Sequence, residues 1–147
     1  MVKDQVQDEM KAAMRAQDKE RLAVIRLILS EIKRIEKDEL KTLNNTEELA
    51  ILDRMQKQRR ESIAQFKAAG REDLVKQEEF EIVVIQSFKP AALSEQEVHQ
   101  LVADAIKETQ ASGIQDMAKV MTILKPKLQG RADMGQVSAQ VKALLTA

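Results

Sequence analysis

The sequence predicts an all-α protein: an N-terminal helical bundle with long antiparallel helices, followed by a small C-terminal three-helix domain. Three observations predict it. Apolar residues recur at three- and four-residue spacing along most of the chain, as one face of a helix requires. The 147 residues include only four glycines and two prolines, so turn-forming backbone is scarce. A single stretch, FEIVVIQSF at residues 80–88, is β-branched enough for a strand. It follows LVKQEE with no turn signal and has no partner strand, so it too reads as helix.

The elements follow in order. Val2, Val6, Met10, Ala13 and Met14 mark a first amphipathic helix. Leu22, Ile25, Ile28, Leu29, Ile32 and Ile35 mark a stronger second one that starts near Asp18. Residues 41–45 form a loop. Thr46, followed by Glu47 and Glu48, is the expected N-cap of a third helix, with acid in its first turn. That helix runs to about Ala69, where Gly70 stops it. A fourth pattern starts near Arg71 and runs through residues 80–88 until Pro90 breaks it.

Ser94 to Glu97, S-E-Q-E, is a capping-box signature that opens a fifth helix. Val98, Leu101, Val102, Ala105 and Ile106 form its apolar face, and a turn is expected at Ser112 and Gly113. Asp116 is the expected cap of a sixth helix, which Pro126 should kink or end and Gly130 should close. Asp133 caps a last helix carrying Val137, Val141, Leu144 and Leu145. The expected organisation is a helical domain over residues 1–90 and a three-helix domain over residues 94–147. A unit of that second size is near the lower limit for folding alone.

Composition narrows the function classes. Lys and Arg number 24 and so do Asp and Glu, so nucleic-acid binding has to come from a local patch. There is no cysteine, which excludes disulfides and thiolate chemistry and fits a reducing cytoplasm. No apolar run approaches the roughly 20 residues of a membrane span, and the start, MVKDQVQDEM, is polar and unlike a signal peptide. Three Phe with no Trp or Tyr leave few platforms for base stacking. No phosphate loop, dinucleotide fingerprint or nucleophile elbow occurs. No cofactor or metal is expected, because the single histidine, His99, has no cysteine or second histidine to join it. The adjacent carboxylates Glu72 and Asp73 are explained by the first turn of a helix.

Two places stand out. In the third helix the apolar stripe of Leu49, Leu52 and Met55 resumes only at Ile63 and Phe66, and Gln56, Arg59 and Arg60 fill the slots between. Arginine there answers a carboxylate of a neighbouring helix, an external anion, or a protein partner. Arg71, at the following turn, joins Arg59 and Arg60 as a secondary candidate. The second place is DMAKVMTILKPKLQGRAD, residues 116–133. Met117, Val120, Met121, Leu124 and Leu128 form an apolar face, and no acidic residue lies between the two flanking aspartates. The segment is either a core helix with a solvated lysine face or a surface that meets an anion. Lys119, Lys125, Lys127, Gly130 and Arg131 are the RNA-binding candidates. If the helix ends at Pro126, their side chains splay around one corner, with Gly130 admitting close approach.

The stretches RRESIAQFKAAGREDL, at 59–74, and MAKVMTILKPKLQGRAD, at 117–133, continuing into VSAQVKALL at 137–145, resemble the GatB/YqeY family. With PAALSE at 90–95 they match free-standing YqeY-like proteins in order and spacing. The resemblance implies a C-terminal part similar to the tail domain of the B subunit of tRNA-dependent amidotransferases, which correct mischarged Asp-tRNA(Asn) and Glu-tRNA(Gln). That tail contacts the tRNA body, and the chemistry occurs elsewhere in the complex. The chain departs from the family at Ala118 and Thr122, where glycine is usual, at Phe88, usually Tyr, and at Met134, usually Gly.

The leading expectation is therefore a cytoplasmic tRNA- or RNA-binding accessory protein linked to translation. The alternatives are a protein-interaction module using the N-terminal helices, or a non-catalytic component of a carbon–nitrogen ligase complex with glutamine as amido donor. No catalytic residue is visible in the chain. No membrane partner is expected.

Overall fold

A computed structural model describes residues 2–146. Seven α-helices are present among the described residues: α1 Val2–Arg15, α2 Lys19–Glu39, α3 Asn45–Ala68, α4 Glu72–Gln86, α5 Glu95–Thr109, α6 Met117–Leu128 and α7 Met134–Thr146. A 3₁₀ turn, Ile114–Asp116, leads into α6. No strand occurs among the described residues. The β-branched stretch FEIVVIQ lies inside α4, where Val84 and Ile85 are buried. The helical frame set by the preceding turn outweighs the intrinsic preference of Ile and Val for strands.

The chain divides into two compact units, one ending at Lys89 and one starting at Pro90. In the first, α3 packs most extensively on α4, α1 packs on α2, and α2 joins the two pairs. Val6, Ile25, Ile28, Ile32, Leu52 and Ile85 are its most deeply buried residues. Met14, expected on the apolar face of α1, instead lies half exposed in the last turn of the helix, beside the buried Ala13. In the second unit α5 packs on both α6 and α7 around Val102, Val120, Leu124, Leu128, Val137 and Val141.

Helix ends show where local chemistry decides and where it misleads. Asp18 caps α2, its carboxylate accepting the Arg21 N–H at 3.1 Å. Asn44, and not Thr46, caps α3. The Asn44 side chain accepts the Glu47 N–H at 2.9 Å while Glu47 accepts the Asn44 N–H at 3.3 Å. This reciprocal box uses two otherwise orphaned donors, which a cap at Thr46 would not. Ser94 caps α5 through the Glu97 N–H.

The α5 helix stops at Gln110, which takes the left-handed conformation (φ 55°), ahead of the expected turn at Ser112 and Gly113. Asp116 does not cap α6. Its carboxylate turns back to accept the Ser112 N–H at 3.0 Å, and the helix grows directly out of the 3₁₀ turn. Asp133 accepts the N–H groups of Gly135 and Gln136 at 2.8 and 3.2 Å, capping α7.

Pro126 does not end α6, which continues to Leu128. Proline cannot donate to the carbonyl four residues back, at Thr122. Thr122 and Pro126 are both exposed, so water can take over that carbonyl. The cost is further limited because Pro126 sits in the last turn. Gly130 then takes φ +81° and closes the helix, as expected.

Among the described residues three non-glycine residues, Gln17, Leu40 and Gln110, adopt positive φ at helix ends. That conformation costs an L-residue roughly 1 kcal/mol or more.

One buried charge organises the first unit. Glu48 is 1% exposed. One of its carboxylate oxygens accepts the Lys3 N–H at 2.6 Å, at the N-terminal end of α1, where the helix dipole favours an anion. The other has no hydrogen-bond partner. Burial pushes this carboxyl above the usual range, and the Lys3 N–H offsets part of that rise. Alongside it, Asn45 accepts the Val2 N–H at 3.3 Å, and Glu36 takes both the Lys3 ammonium at 2.8 Å and the Leu43 N–H at 3.2 Å. The start of α1 is thus tied to the α2–α3 loop by side chains of two helices.

Candidate nucleic-acid interface

The sixth helix buries Val120, Leu124 and Leu128 and leaves Ala118, Lys119, Thr122, Lys125, Pro126 and Lys127 exposed. Because α6 runs unbroken to Leu128, its lysines do not splay around one corner. At 3.6 residues per turn, Lys125 and Lys119 are about 120° apart, and Lys119 and Lys127 about 80°. The three ammonium groups therefore spread over the solvent side of the helix. Lys119 is weakly tied, its Nζ lying 3.9 Å from Asp116. Lys125 and Lys127 form no ion pair among the described residues. Their positions in the last turn also suit the helix dipole, which favours cations there.

Ala118 and Thr122, where the resembled family carries glycine, sit on the middle of this exposed face. The Thr122 hydroxyl donates to the Ala118 carbonyl at 2.8 Å, so the helix surface here is formed by side chains and not by bare backbone. Gly130 is buried and shapes the turn. Arg131 is half-buried and engaged within its unit. Its Nε donates to the Ala91 carbonyl at 3.1 Å, and its own carbonyl accepts the Leu93 N–H at 3.0 Å. Arg131 thereby holds residues 91–93 against the α6–α7 turn.

Charge in the second unit is segregated. Helix α5 carries Glu95, Glu97, Asp104 and Glu108 against Lys107. From Met117 onward come Lys119, Lys125, Lys127, Arg131 and Lys142, against Asp133 alone. A groove of about 360 Å³ lies at the N-terminal ends of α5 and α7, with Leu93, Val98 and Val137 as apolar lining and Glu95 and Asp133 at its edge. His99 meets Gln140, a groove residue, at 2.8 Å through Nδ1. The charged residues that line this groove, Glu95 and Asp133, are both acidic.

Two of the three candidate arginines of the first unit, Arg59 and Arg71, are engaged within the chain. Arg59 is 15% exposed and pairs with Glu81 of α4 at 3.1 Å, while its Nη1 donates to the Met55 carbonyl at 3.2 Å. Arg71 grips Asp73 with two bonds, at 3.0 and 3.2 Å, and holds the Asp73 carboxyl below its usual range. Arg60 is exposed.

Next to Arg59 the buried Gln56 amide donates to the Ile82 carbonyl and to Gln86, at 3.2 and 3.1 Å, and accepts from Lys89 at 2.8 Å. Lys89 also meets Asp53 at 2.7 Å. The interruption of the α3 stripe is therefore a polar seam between α3 and α4. Glu81, Gln86, Lys89 and Asp53 were not singled out from the sequence. The signal for a polar seam was the slots at Gln56 and Arg59, but their partners lie 22 to 33 residues away.

No helix among the described residues is long and apolar enough to cross a membrane.

A family model described as Yqey-like protein matches residues 3–145, and the chain belongs to that family. A curated relative from Pyrenophora tritici-repentis (strain Pt-1C-BFP), altered inheritance of mitochondria protein 41, mitochondrial, is 28% identical over 150 residues, covering all of this chain and 82% of the relative.

Proposed function

We propose that this YqeY-like chain is an accessory protein that binds tRNA, or another structured RNA, through the basic side of its second unit. The observation that carries this reading is the distribution of charge: Lys119, Lys125 and Lys127 stand exposed on α6, and four of that unit's six carboxylates, Glu95, Glu97, Asp104 and Glu108, lie on α5. Phosphate contacts need charge and access more than shape. Lysine on a helix surface supplies both, at the expense of sequence specificity. Arg131 acts on the same side as a support, through its hold on Ala91 and Leu93. Gly130 contributes the turn.

In this reading the chain assists tRNA-linked chemistry without performing it, in the way an amidotransferase tail assists its complex. The proposed compartment is the cytoplasm. The relative's name places that protein in mitochondria, and a tRNA-binding role suits either compartment, since both translate.

The test is filter binding of bulk tRNA over a salt series. A Kd weaker than about 100 µM at low salt, below the usual non-specific range, sinks the proposal. Binding that weakens steeply as salt rises supports it.

A further inference from the structure

We propose that the solvent-facing ridge of α2 is a second RNA contact, which binds the phosphate backbone through Lys19, Arg26, Lys33 and Lys37. The surface is read from α2 alone, and the choice of RNA as its ligand rests on the function proposed above.

Steps of four and three residues carry one ridge from Lys19 through Ala23, Arg26, Ser30 and Lys33 to Lys37. Such steps keep side chains on one face of a helix. All six residues are exposed. The buried residues Val24, Ile25, Ile28 and Ile32 lie on the other side of α2. At 1.5 Å per residue the ridge is about 27 Å long.

The fold has not used these charges. None of the four cations forms an ion pair or a side-chain hydrogen bond among the described residues. Lys33 adds to the field that holds Glu36 low, but the group bonded to that carboxylate is the Lys3 ammonium. To one side of the ridge, Glu31 and Asp38 are held by Arg34, and Arg54 shares Glu31. Glu20 lies about 100° round the helix from Lys19. Helix stability does not account for the ridge either. Lys19 stands at the positive end of the helix dipole, and Lys33 and Lys37, four residues apart, repel each other. Of the four, Lys37 alone suits the dipole, in the last turn. The exposed side of α1, by contrast, mixes its signs, with Asp4 and Asp8 beside Lys11 and Arg15.

Chemistry selects the ligand class. Ala23 and Ser30 are small, so an extended anion can approach between the cations, and a serine hydroxyl is itself a phosphate donor. The ridge carries no large apolar side chain of the kind that a protein interface or a bilayer buries. Leu27, which is half exposed, lies about 80° round the helix from Lys19. Isolated cations spaced along a line suit a polymer whose negative charge repeats along its length. A single phosphate or carboxylate engages one of them and loses it to water.

The experiment is filter binding of bulk tRNA to the full chain over a salt series, with thermal scans of every variant. Replacing Lys19, Arg26, Lys33 and Lys37 together with Ala should weaken binding about 10-fold at low salt and flatten the salt slope by roughly one unit per cation. The thermal midpoint should hold or rise, since Ala favours helix and no ion pair is lost. Arg26→Glu alone should weaken binding about 3-fold, and it decides the matter if the fourfold variant melts early. A companion chain with Lys119, Lys125 and Lys127 replaced by Ala separates the two surfaces. If the α2 variants bind like the parent while the α6 variant does not, this inference is overturned and the function proposed above stands. If only the α2 variants lose affinity, the α2 contact stands and the α6 reading falls. A parent chain that ignores tRNA overturns both, and if it instead binds vesicles of anionic lipid through these cations, the ridge belongs to a membrane surface.

Discussion

Two basic regions of this molecule have opposite fates. In the middle of α3, Arg59 interrupts an apolar stripe and is neutralised at 3.1 Å by Glu81 of α4. On α6, Lys125 and Lys127 interleave with an apolar stripe and meet no carboxylate among the described residues. The first cation stands within a helix–helix seam, where an unpaired charge is too costly to keep. The others stand on the side of α6 turned away from its partners, where water covers them. A basic residue beside an apolar stripe thus says little about ligands until its facing helix is known. What separates a structural cation from a binding one is whether the fold has already used its charge.

The largest expected effect tests the solvent-facing half of this contrast. Replacing Lys119, Lys125 and Lys127 together with Ala should weaken tRNA binding on the order of 100-fold at low salt and flatten the salt slope by about one unit per lysine. Melting should stay near that of the parent chain, since none of the three is buried. Filter binding and a thermal scan read the two halves of this prediction; equal loss of both would erase the distinction between the regions.

Glu81→Ala tests the other half. It strands Arg59 in the α3–α4 seam and should cost about 2 kcal/mol by urea unfolding, with tRNA affinity unchanged. A loss of affinity without a loss of stability would mean that Arg59 serves a ligand after all.

Smaller again is Pro126→Ala, which restores a helical donor in the last turn of α6. We expect a gain of roughly 0.5–1 kcal/mol, smaller than in a helix interior because Thr122 is already solvated. Lys125 and Lys127 keep their places, so binding should hold.

The finest effect concerns pH and the buried carboxylate of the first unit. Burial raises the Glu48 carboxyl in the folded chain, so between its unfolded and folded pKa values the folded state holds more protons. Stability from this group is therefore greatest below the unfolded value and is lost as pH rises through the folded one. Glu36 has the opposite sign: the Lys3 ammonium and the Leu43 N–H hold it low, so its contribution is present above the unfolded value and lost as pH falls. Glu48→Gln should flatten the fall of stability above the ordinary carboxylate range, as read by urea midpoints at a series of pH values. An unchanged profile would show that Glu48 does not titrate in that window.

Most of the helices were legible because their signals are local. Asp18, Ser94 and Asp133 cap where expected, and Gly70 and Gly130 take the positive φ that stops a helix. The misreadings were also local in origin. At 44–48 two caps competed, and only Asn44 stands three residues before Glu47. At Pro126 a general rule against proline in helices gave way, since the ring and the carbonyl it frees both face water. The candidate lysines were visible as an acid-free run. Their spread around α6 was not, because it depends on the helix continuing through Pro126.

By itself, the sequence determined that this chain is helical, where most of its helices start and stop, and which faces are apolar. Those properties arise from residues three or four apart, which the backbone brings together without help. Only the tertiary structure decided which charges remain available. Arg59 with Glu81, Lys89 with Asp53, and Arg131 with Ala91 are pairs that lie far apart in sequence and meet only once their helices and loops pack. Neutralising a charge requires a partner within about 4 Å, and nothing in a linear spacing fixes that distance across two helices.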